Sequence, residues 1–255
     1  MYRISYVSPH GEHWDLSERL WTVAVSKSGI KGLVGELDDS TVSSAQWGGQ
    51  TVTHQAPKPM TGELTLVVYA ESTGDVDDMY ARLRAGFSSR EEGTLNISGD
   101  RYGSLTTSVR LNGHIESPDV DTEGEQYVAE VTVPLIADSG LWLQEVFTER
   151  GVAEVNNPAA VPMHVGVTWQ DKSQLVLPSG WVIGLPAAGE RVSMSLDPRT
   201  GYTVRDAHGD PLPELTREVV KSTVPEPVPP GSSRTYTARG DAAVTWQVPT
   251  LDPWI

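Results

Sequence analysis

The sequence of 255 residues contains no cysteine and no long apolar run. The lack of cysteine excludes disulfide bonds, thiolate nucleophiles and cysteine-ligated zinc sites, and it suits folding in a reducing cytoplasm. No apolar stretch approaches the ~20 residues that a membrane-spanning helix needs. The N-terminal segment also lacks the apolar core of a secretory signal. We therefore expect neither membrane insertion nor export by that route.

Positive charge is scarce, because 19 Lys and Arg residues stand against 34 Asp and Glu residues, a formal net charge of −15. Residues 1–148 carry 22 acidic and 10 basic groups, a net of −12, and residues 149–255 carry 12 and 9, a net of −3. This sign opposes sequence-specific binding of nucleic acid, which depends on basic groups that neutralise phosphates. Such an acidic surface repels other polyanions, and it equally suits a merely soluble protein.

Motifs of catalytic chemistry are missing as well. The sequence has no G-x-S-x-G elbow, no glycine-rich phosphate loop, no G-x-G-x-x-G and no H-E-x-x-H,. No nucleophile, base and orienting group can be brought together by spacing. We expect no enzymatic activity and no cofactor.

What is abundant is glycine and proline, 24 and 18 residues, between short runs of alternating Val, Thr and Ser. This pattern predicts a mainly β protein with sharp turns. One helix is predicted at about 76–88, with Asp75 as its N-cap. Its apolar stripe consists of Val76, Met79, Tyr80, Leu83 and Phe87.

The segment 196–236 holds an ordered succession of turn signals. The sequence Asp-Pro-Arg-Thr-Gly at 197–201 fits a type I turn between two antiparallel strands, and 206–211 again combines Asp, Gly and Pro between extended segments,. The sequence PEPVPPG at 225–231 predicts an extended, polyproline-like chain,.

These turn motifs, in this order, resemble the second domain of siphovirus distal tail proteins, a family that builds the ring joining a phage tail tube to its tip. The opening ISYVSPHGEHWDL and the glycine-spaced SGIKGLVGEL resemble the family's first domain. One departure is Pro158, which replaces a glycine that such proteins often carry after the domain junction. The resemblance implies a β-sandwich-like N-terminal domain with one packed helix, followed by a galectin-like β-sandwich.

The predicted domains are 1–148, which would form the ring, and 149–255, with the junction between Leu143 and Asn156. A polar segment at about 38–60 exceeds ordinary loop lengths. We interpret it as an arm that contacts a neighbouring subunit with Trp47 as an anchor, or equally as a surface loop folded back on its own domain.

Acidic residues 119–130 match a calcium loop imperfectly. The candidate ligands occupy loop positions one, three, five and twelve: Asp119, Asp121, Glu123 and Glu130,. Position five is Glu, and a strand-like segment follows where a helix should leave the loop. An acidic hairpin tip with Glu130 pointing outward explains the pattern better, so we predict no metal.

Tryptophans of the second domain offer an alternative function. Trp169 and Trp181, if exposed, could stack on host cell-wall glycans and make the protein a carbohydrate-binding module, whereas core packing is the ordinary role of tryptophan. The tripeptide Arg-Gly-Asp at 239–241 is interpreted as an ordinary turn.

By resemblance, the chain is expected to form a ring, hexameric in the family, at the distal end of a virion tail assembled in the host cytoplasm. The expected partners are other copies of the chain, the tail-tube protein, the tape-measure protein and the tail-tip protein. Genomic DNA would pass through the ring without specific binding.

Overall fold

The computed structural model describes residues 2–17, 23–43, 48–69, 73–100, 103–116 and 128–254. They form a mainly β protein with antiparallel sheets, which confirms the predicted class. The chain divides into two compact units. Unit one contains the residues up to Gln144 and those from Thr250 onward, and unit two is Glu145–Pro249.

The described part of unit one contains ten strands and one helix before the chain enters unit two. The strands are β1 (Arg3–Val7), β2 (His13–Asp15), β3 (Val23–Gly32), β4 (Leu37–Ser43), β5 (Gln50–Pro57), β6 (Met60–Tyr69), β7 (Gly93–Gly99), β8 (Gly103–Leu111), β9 (Val128–Ala137) and β10 (Trp142–Gln144), and the helix is α1 (Thr73–Ala85).

The main sheet of unit one is one antiparallel path in the order β2-β1-β7-β8-β9-β6-β3. The N–H of Val25 donates to the carbonyl of Leu16 at 2.8 Å, so the two ends of this path approach each other. The inward side chains alternate along the strands and form one buried core that also receives α1,.

The predicted helix is present, but it begins at Thr73 and ends at Ala85. Asp75 therefore lies inside the helix and is not its N-cap, a correction of the kind expected at helix ends. The predicted apolar stripe does face the core, where the ring of Phe87 stacks on Tyr6 with centroids 4.4 Å apart. The Tyr6 hydroxyl donates to the carbonyl of Gly86 at 2.9 Å and fixes the chain just after the helix.

Unit two is a sandwich of two four-stranded antiparallel sheets, β11-β18-β13-β16 and β12-β17-β14-β15. Its strands are β11 (Phe147–Arg150), β12 (Val152–Asn157), β13 (Gly166–Trp169), β14 (Ser173–Val176), β15 (Val182–Leu185), β16 (Val192–Ser195), β17 (Ser232–Arg239) and β18 (Ala243–Trp246). Inward side chains of both sheets share one apolar core,. A short helix, α2 (Pro213–Val219), lies between β16 and β17.

The turn after β16 forms largely as predicted. The carboxylate of Asp197 accepts from the N–H of Arg199 at 2.9 Å, and Gly201 closes the turn with φ +63°. The returning chain pairs with β16 only through the bridge between Ser193 and Arg205, so the predicted second strand is a single bridge. Helix α2 was not predicted, because the turn signals of 206–211 favour extended chain on both sides.

The proline-rich segment runs extended across the sandwich, as predicted. Val228 and Met163 exchange two backbone hydrogen bonds at 2.7 and 3.0 Å. The hydroxyl of Tyr236 donates to the carbonyl of Glu226 at 2.5 Å. Burial raises the pKa of Tyr236 to about 12, which keeps its hydroxyl protonated as the donor that holds this segment.

Candidate functional site

The most exposed element of unit one is a separate hairpin, which we call the arm and define as β4 and β5. It is a two-stranded sheet that pairs with no other strand of the described chain. Every side chain from Asp38 to Ser43 is exposed, and apolar Val42 and Val52 are exposed to 59% and 47%. The predicted loop is therefore a projecting β-hairpin. Trp47, its predicted anchor, lies outside the described residues.

Local polar contacts hold the arm in register. Thr53 donates through its hydroxyl to the carbonyl of Ser40 at 3.0 Å, and the amide of Gln55 donates to Asp39 at 2.8 Å. The arm buries little apolar surface of its own, and an isolated two-stranded hairpin is marginally stable in water. The arm is thus an element that a contact outside its own unit would stabilise.

The base of the arm, by contrast, is fixed to the core of unit one. The indole N–H of Trp142, which is fully buried, donates to the carbonyl of Leu33 at 2.8 Å. The N–H of Gly35 donates to the carbonyl of Leu251 at 2.7 Å, and Lys58 donates likewise to Glu36 at 2.9 Å. These bonds give a rigid base to a projecting hairpin.

Ion pairs in unit one do not reduce the excess of negative charge in residues 1–148. The basic residues of unit one with ionic partners are paired one to one at the surface: Lys31 with Glu63, Lys58 with Asp38, Arg82 with Glu12 and Arg110 with Asp138. Such pairs are neutral and leave the net acidity unchanged. A surface of this sign repels the phosphates of nucleic acid.

Only one of the four calcium-loop candidates lies within the described residues. Asp119, Asp121 and Glu123 lie outside the described residues. Glu130 lies in β9, opposite Val67 of β6, and its side chain is exposed. Glu130 sits in a strand, at a point where a calcium loop would be followed by a helix,. Among the described residues, no three or more potential ligands are grouped for a metal ion.

The two candidate glycan-binding tryptophans differ in exposure. Trp169 is fully buried in the core of unit two, and its indole N–H donates to the carbonyl of Pro186 at 2.8 Å. It cannot stack on a sugar, and the prediction for this residue is corrected. Trp181 is 51% exposed and donates to the carbonyl of Ser222 at 2.7 Å. Its indole is therefore held in one orientation at the surface.

Asp241, the last residue of the Arg-Gly-Asp tripeptide, organises a turn inside unit two. Its carboxylate accepts from the backbone N–H groups of Gln170 and Asp171 and from the hydroxyl of Ser173, and it lies 3.3 Å from Arg191. Desolvation alone would raise the pKa of Asp241, but these donors hold it below its usual value. The tripeptide has a structural role that the sequence did not reveal, because the donors lie about 70 residues away.

Shifted ionisation among the described residues follows structural contacts of the same kind. The hydrogen bond from Arg110 lowers the pKa of Asp138. Desolvation would raise that of Asp197, but hydrogen bonds from Arg199 lower it. Burial lowers the pKa of His164, whose Nδ1 is buried without a hydrogen-bond partner. No described helix is long and apolar enough to cross a membrane.

Comparison with known proteins gives a match of fold along nearly the whole chain. The SPP1 Dit protein, described as a paradigm of the hub adsorption apparatus in phages that infect Gram-positive hosts, superposes with a TM-score of 0.60 at 11% identity, covering 96% of this chain and 98% of that one. A component of the phage P2 baseplate in its activated, calcium-containing conformation gives 0.58 at 8% identity, covering 97% and 98%.

No family model and no curated protein sequence matches the chain. The likeness therefore rests on structure, and it confirms the resemblance to distal tail proteins at the level of fold.

Proposed function

We propose that this chain is a structural subunit of a phage tail hub, which forms a closed ring between the tail tube and the tail tip. The observation that carries the proposal is the match of fold to two hub and baseplate proteins over at least 96% of this chain. Both units contribute to that match, so the whole architecture is shared rather than one common β-sandwich. The ring has six copies, as the family resemblance implies.

The arm supplies the contact between neighbouring copies. In a closed ring each subunit contacts its two neighbours through two different surfaces. Every contact is therefore the same, and no end is left open. A hairpin with a fixed base and exposed strands suits the surface that reaches into the neighbouring subunit. Its exposed Val42 and Val52 would become buried there. Trp47, which lies between the two strands in sequence, serves as the anchor in this proposal.

The remaining partners follow from a position at the distal end of the tail. The ring contacts the tail-tube protein on one face and the tail-tip protein on the other, and the tape-measure protein and genomic DNA pass through its opening. The acidic balance of residues 1–148 supports passage without binding, because phosphates are repelled by a wall of the same sign,. The role is mechanical and requires no cofactor.

Native mass spectrometry of the purified chain over a range of concentrations, with negative-stain images, tests the ring. A closed species of about six subunits with a central opening is expected. A chain that stays monomeric at every concentration, even with the tail-tube and tail-tip proteins added, would refute the proposal.

The role of the arm is tested by Val42→Asp and Val52→Asp. Each places a charge where the proposal buries an apolar side chain, so rings should be lost while the melting temperature of the single chain stays unchanged. Val146→Asp is the matched control, because Val146 is 59% exposed like Val42 but lies outside the arm. If rings persist in both arm variants, the arm does not form the contact between neighbouring copies.

A further inference from the structure

Asn112 and Gly113 form the only Asn-Gly dipeptide among the four asparagines of the chain. Both residues are exposed and lie directly after β8, outside any helix or strand. The backbone N–H of Asn112 still donates to the carbonyl of Pro134 in β9 at 2.9 Å. No hydrogen bond joins the Gly113 N–H or the Asn112 carboxamide to another described residue. The chain therefore leaves the sheet between these two residues.

The space around Gly113 is open. Its φ is +104°, in the region that favours glycine, and a Cβ added there would meet nothing within 4 Å,. The nitrogen of Gly113 is therefore hindered neither by a side chain of its own nor by a neighbouring group of the described chain. The carboxamide carbon of Asn112 belongs to the preceding residue, so a bond between the two atoms closes a five-membered ring.

The other three asparagines lack this combination. The Oδ1 of Asn96 accepts from a serine hydroxyl at 2.8 Å inside β7, and the next residue is the buried, β-branched Ile97,. Asn156 is paired with β17, and its successor is the fully buried Asn157. Asn157 is followed by a proline, whose nitrogen carries no hydrogen,. Only Asn112 combines an exposed carboxamide with an unhindered following nitrogen.

We propose that Asn112 is a site of spontaneous deamidation, at which the backbone nitrogen of Gly113 attacks the carboxamide carbon. The nitrogen gives its proton to a base in the solvent, the new N–Cγ bond closes a succinimide, and the carboxamide nitrogen leaves as ammonia. Water then opens the ring. Addition of water at Cγ gives aspartate, and addition at the backbone carbonyl carbon gives isoaspartate. The conversion consumes water and releases ammonia, and asparagine is among the chemically least durable residues.

Either product adds a negative charge to unit one, whose surface is already acidic. The site lies two residues after Arg110, which donates to both carboxylate oxygens of Asp138. In isoaspartate the backbone also runs through the former side chain and is longer by one carbon where it leaves β8. The charge and the chain path at this end of β8 therefore change as the protein ages. This inference does not rest on the proposed ring.

Peptide mass spectrometry of the folded full chain, aged at mildly alkaline pH in heavy-oxygen water, tests the proposal without any substitution. Asn112 should take up the heavy oxygen several-fold faster than Asn96 or Asn156, and the product should elute as two species of equal mass, aspartate and isoaspartate. The rate should rise with pH, because the attacking nitrogen must lose its proton. Conversion of Asn112 no faster than that of Asn96, or aspartate as the sole product, would overturn the proposal.

Asn112→Gln and Asn156→Gln provide a matched pair of variants. Glutamine would have to close a less favourable six-membered ring, so it reacts more slowly in the same position. The acidic species that isoelectric focusing detects in the aged chain should be lost in Asn112→Gln and should persist in Asn156→Gln. Acidic species that accumulate equally in the two variants would place the reaction elsewhere and overturn the assignment.

Discussion

The side chain of Asn157 holds the turn that contains Pro158. It is fully buried, its amide donates to the carbonyls of Val161 and Val228 at 2.8 Å each, and its carbonyl oxygen accepts from Ala159 at 3.0 Å. These side-chain hydrogen bonds therefore hold the conformation of the chain around Pro158. The sequence showed the departure from the family pattern, but not its compensation.

Asn157→Ala should lower the free energy of unfolding by about 1–3 kcal/mol, because the carbonyl of Val161 and the N–H of Ala159 lose their Asn157 partner, whereas the carbonyl of Val228 keeps the N–H of Met163,. Asn156→Ala is the control, since the neighbouring Asn156 is exposed and accepts only from Ser233 at 3.3 Å. Urea-induced unfolding measures both. Equal effects of the two substitutions would mean that Asn157 does not hold the turn.

Asp241 predicts a dependence of stability on pH. Its pKa is lowered in the folded protein, so its contribution is present above the unfolded value of about 3.9 and is lost as pH falls through the folded value,. Asp241→Asn should therefore be less stable than the native chain at pH 7, and the difference should shrink below about pH 4. Urea unfolding at both pH values measures this, with Asp171→Asn as the control. A difference independent of pH would contradict the assignment.

At the scale of elements, the glycines of SGIKGLVGEL allow β3 to approach β6 closely. A Cβ on Gly29 would lie 2.5 Å from the carbonyl oxygen of Thr65, and one on Gly32 would meet Thr61 at the same distance. Gly29 lies in the bulge between Val25 and Ile30, and Gly32 pairs directly with Gly62 of β6,. The sequence marked these positions through a family resemblance, and the structure supplies the steric reason.

Gly29→Ala should destabilise unit one by about 1–3 kcal/mol, because the methyl group forces the two strands apart. Gly48→Ala is a suitable control, since a Cβ there meets nothing within 4 Å. Thermal unfolding followed by circular dichroism compares the two variants. Gly29→Ala as stable as Gly48→Ala would show that the strands can separate at no cost.

The elements that the sequence predicted differ from those it missed in how much apolar surface they bury. Helix α1 was found because its apolar stripe repeats with helical spacing and faces the core,. The strands of the arm were missed because they have no buried face, so no alternation marks them. Helix α2 has only Val219 fully buried, and a helix of seven residues gives too short a pattern to detect.

At the scale of the whole molecule, the chain returns to unit one after completing unit two. β19 (Pro249–Thr250) pairs with β10. Beyond it, the ring of Trp254 packs edge-on against Tyr2, with centroids 5.2 Å apart, and the Tyr2 hydroxyl donates to the Trp254 carbonyl at 3.2 Å. The predicted second domain, 149–255, included these last residues, because nothing in the local sequence distinguishes them from it.

Removal of residues 250–255 should loosen unit one and leave unit two intact. It takes away the Leu251 carbonyl that accepts from the N–H of Gly35 at the base of the arm, and the Trp254 ring that packs edge-on against Tyr2. Hydrogen exchange should rise in β1 and at 33–36, whereas β12 and β17 serve as the internal control. Faster exchange in both units, or in neither, would contradict the division.

The sequence by itself determined the mainly β class, the core-facing stripe of α1, the turns of 197–201 and the extended proline-rich segment. Each of these depends on interactions between residues close in sequence, or on a periodicity that burial imposes. Only the tertiary structure decided that Trp169 is buried and Trp181 exposed, and that Asp241 is held by residues of a distant turn. Those outcomes depend on which strands pair and in what register, and local sequence does not specify the register of strands that are distant along the chain.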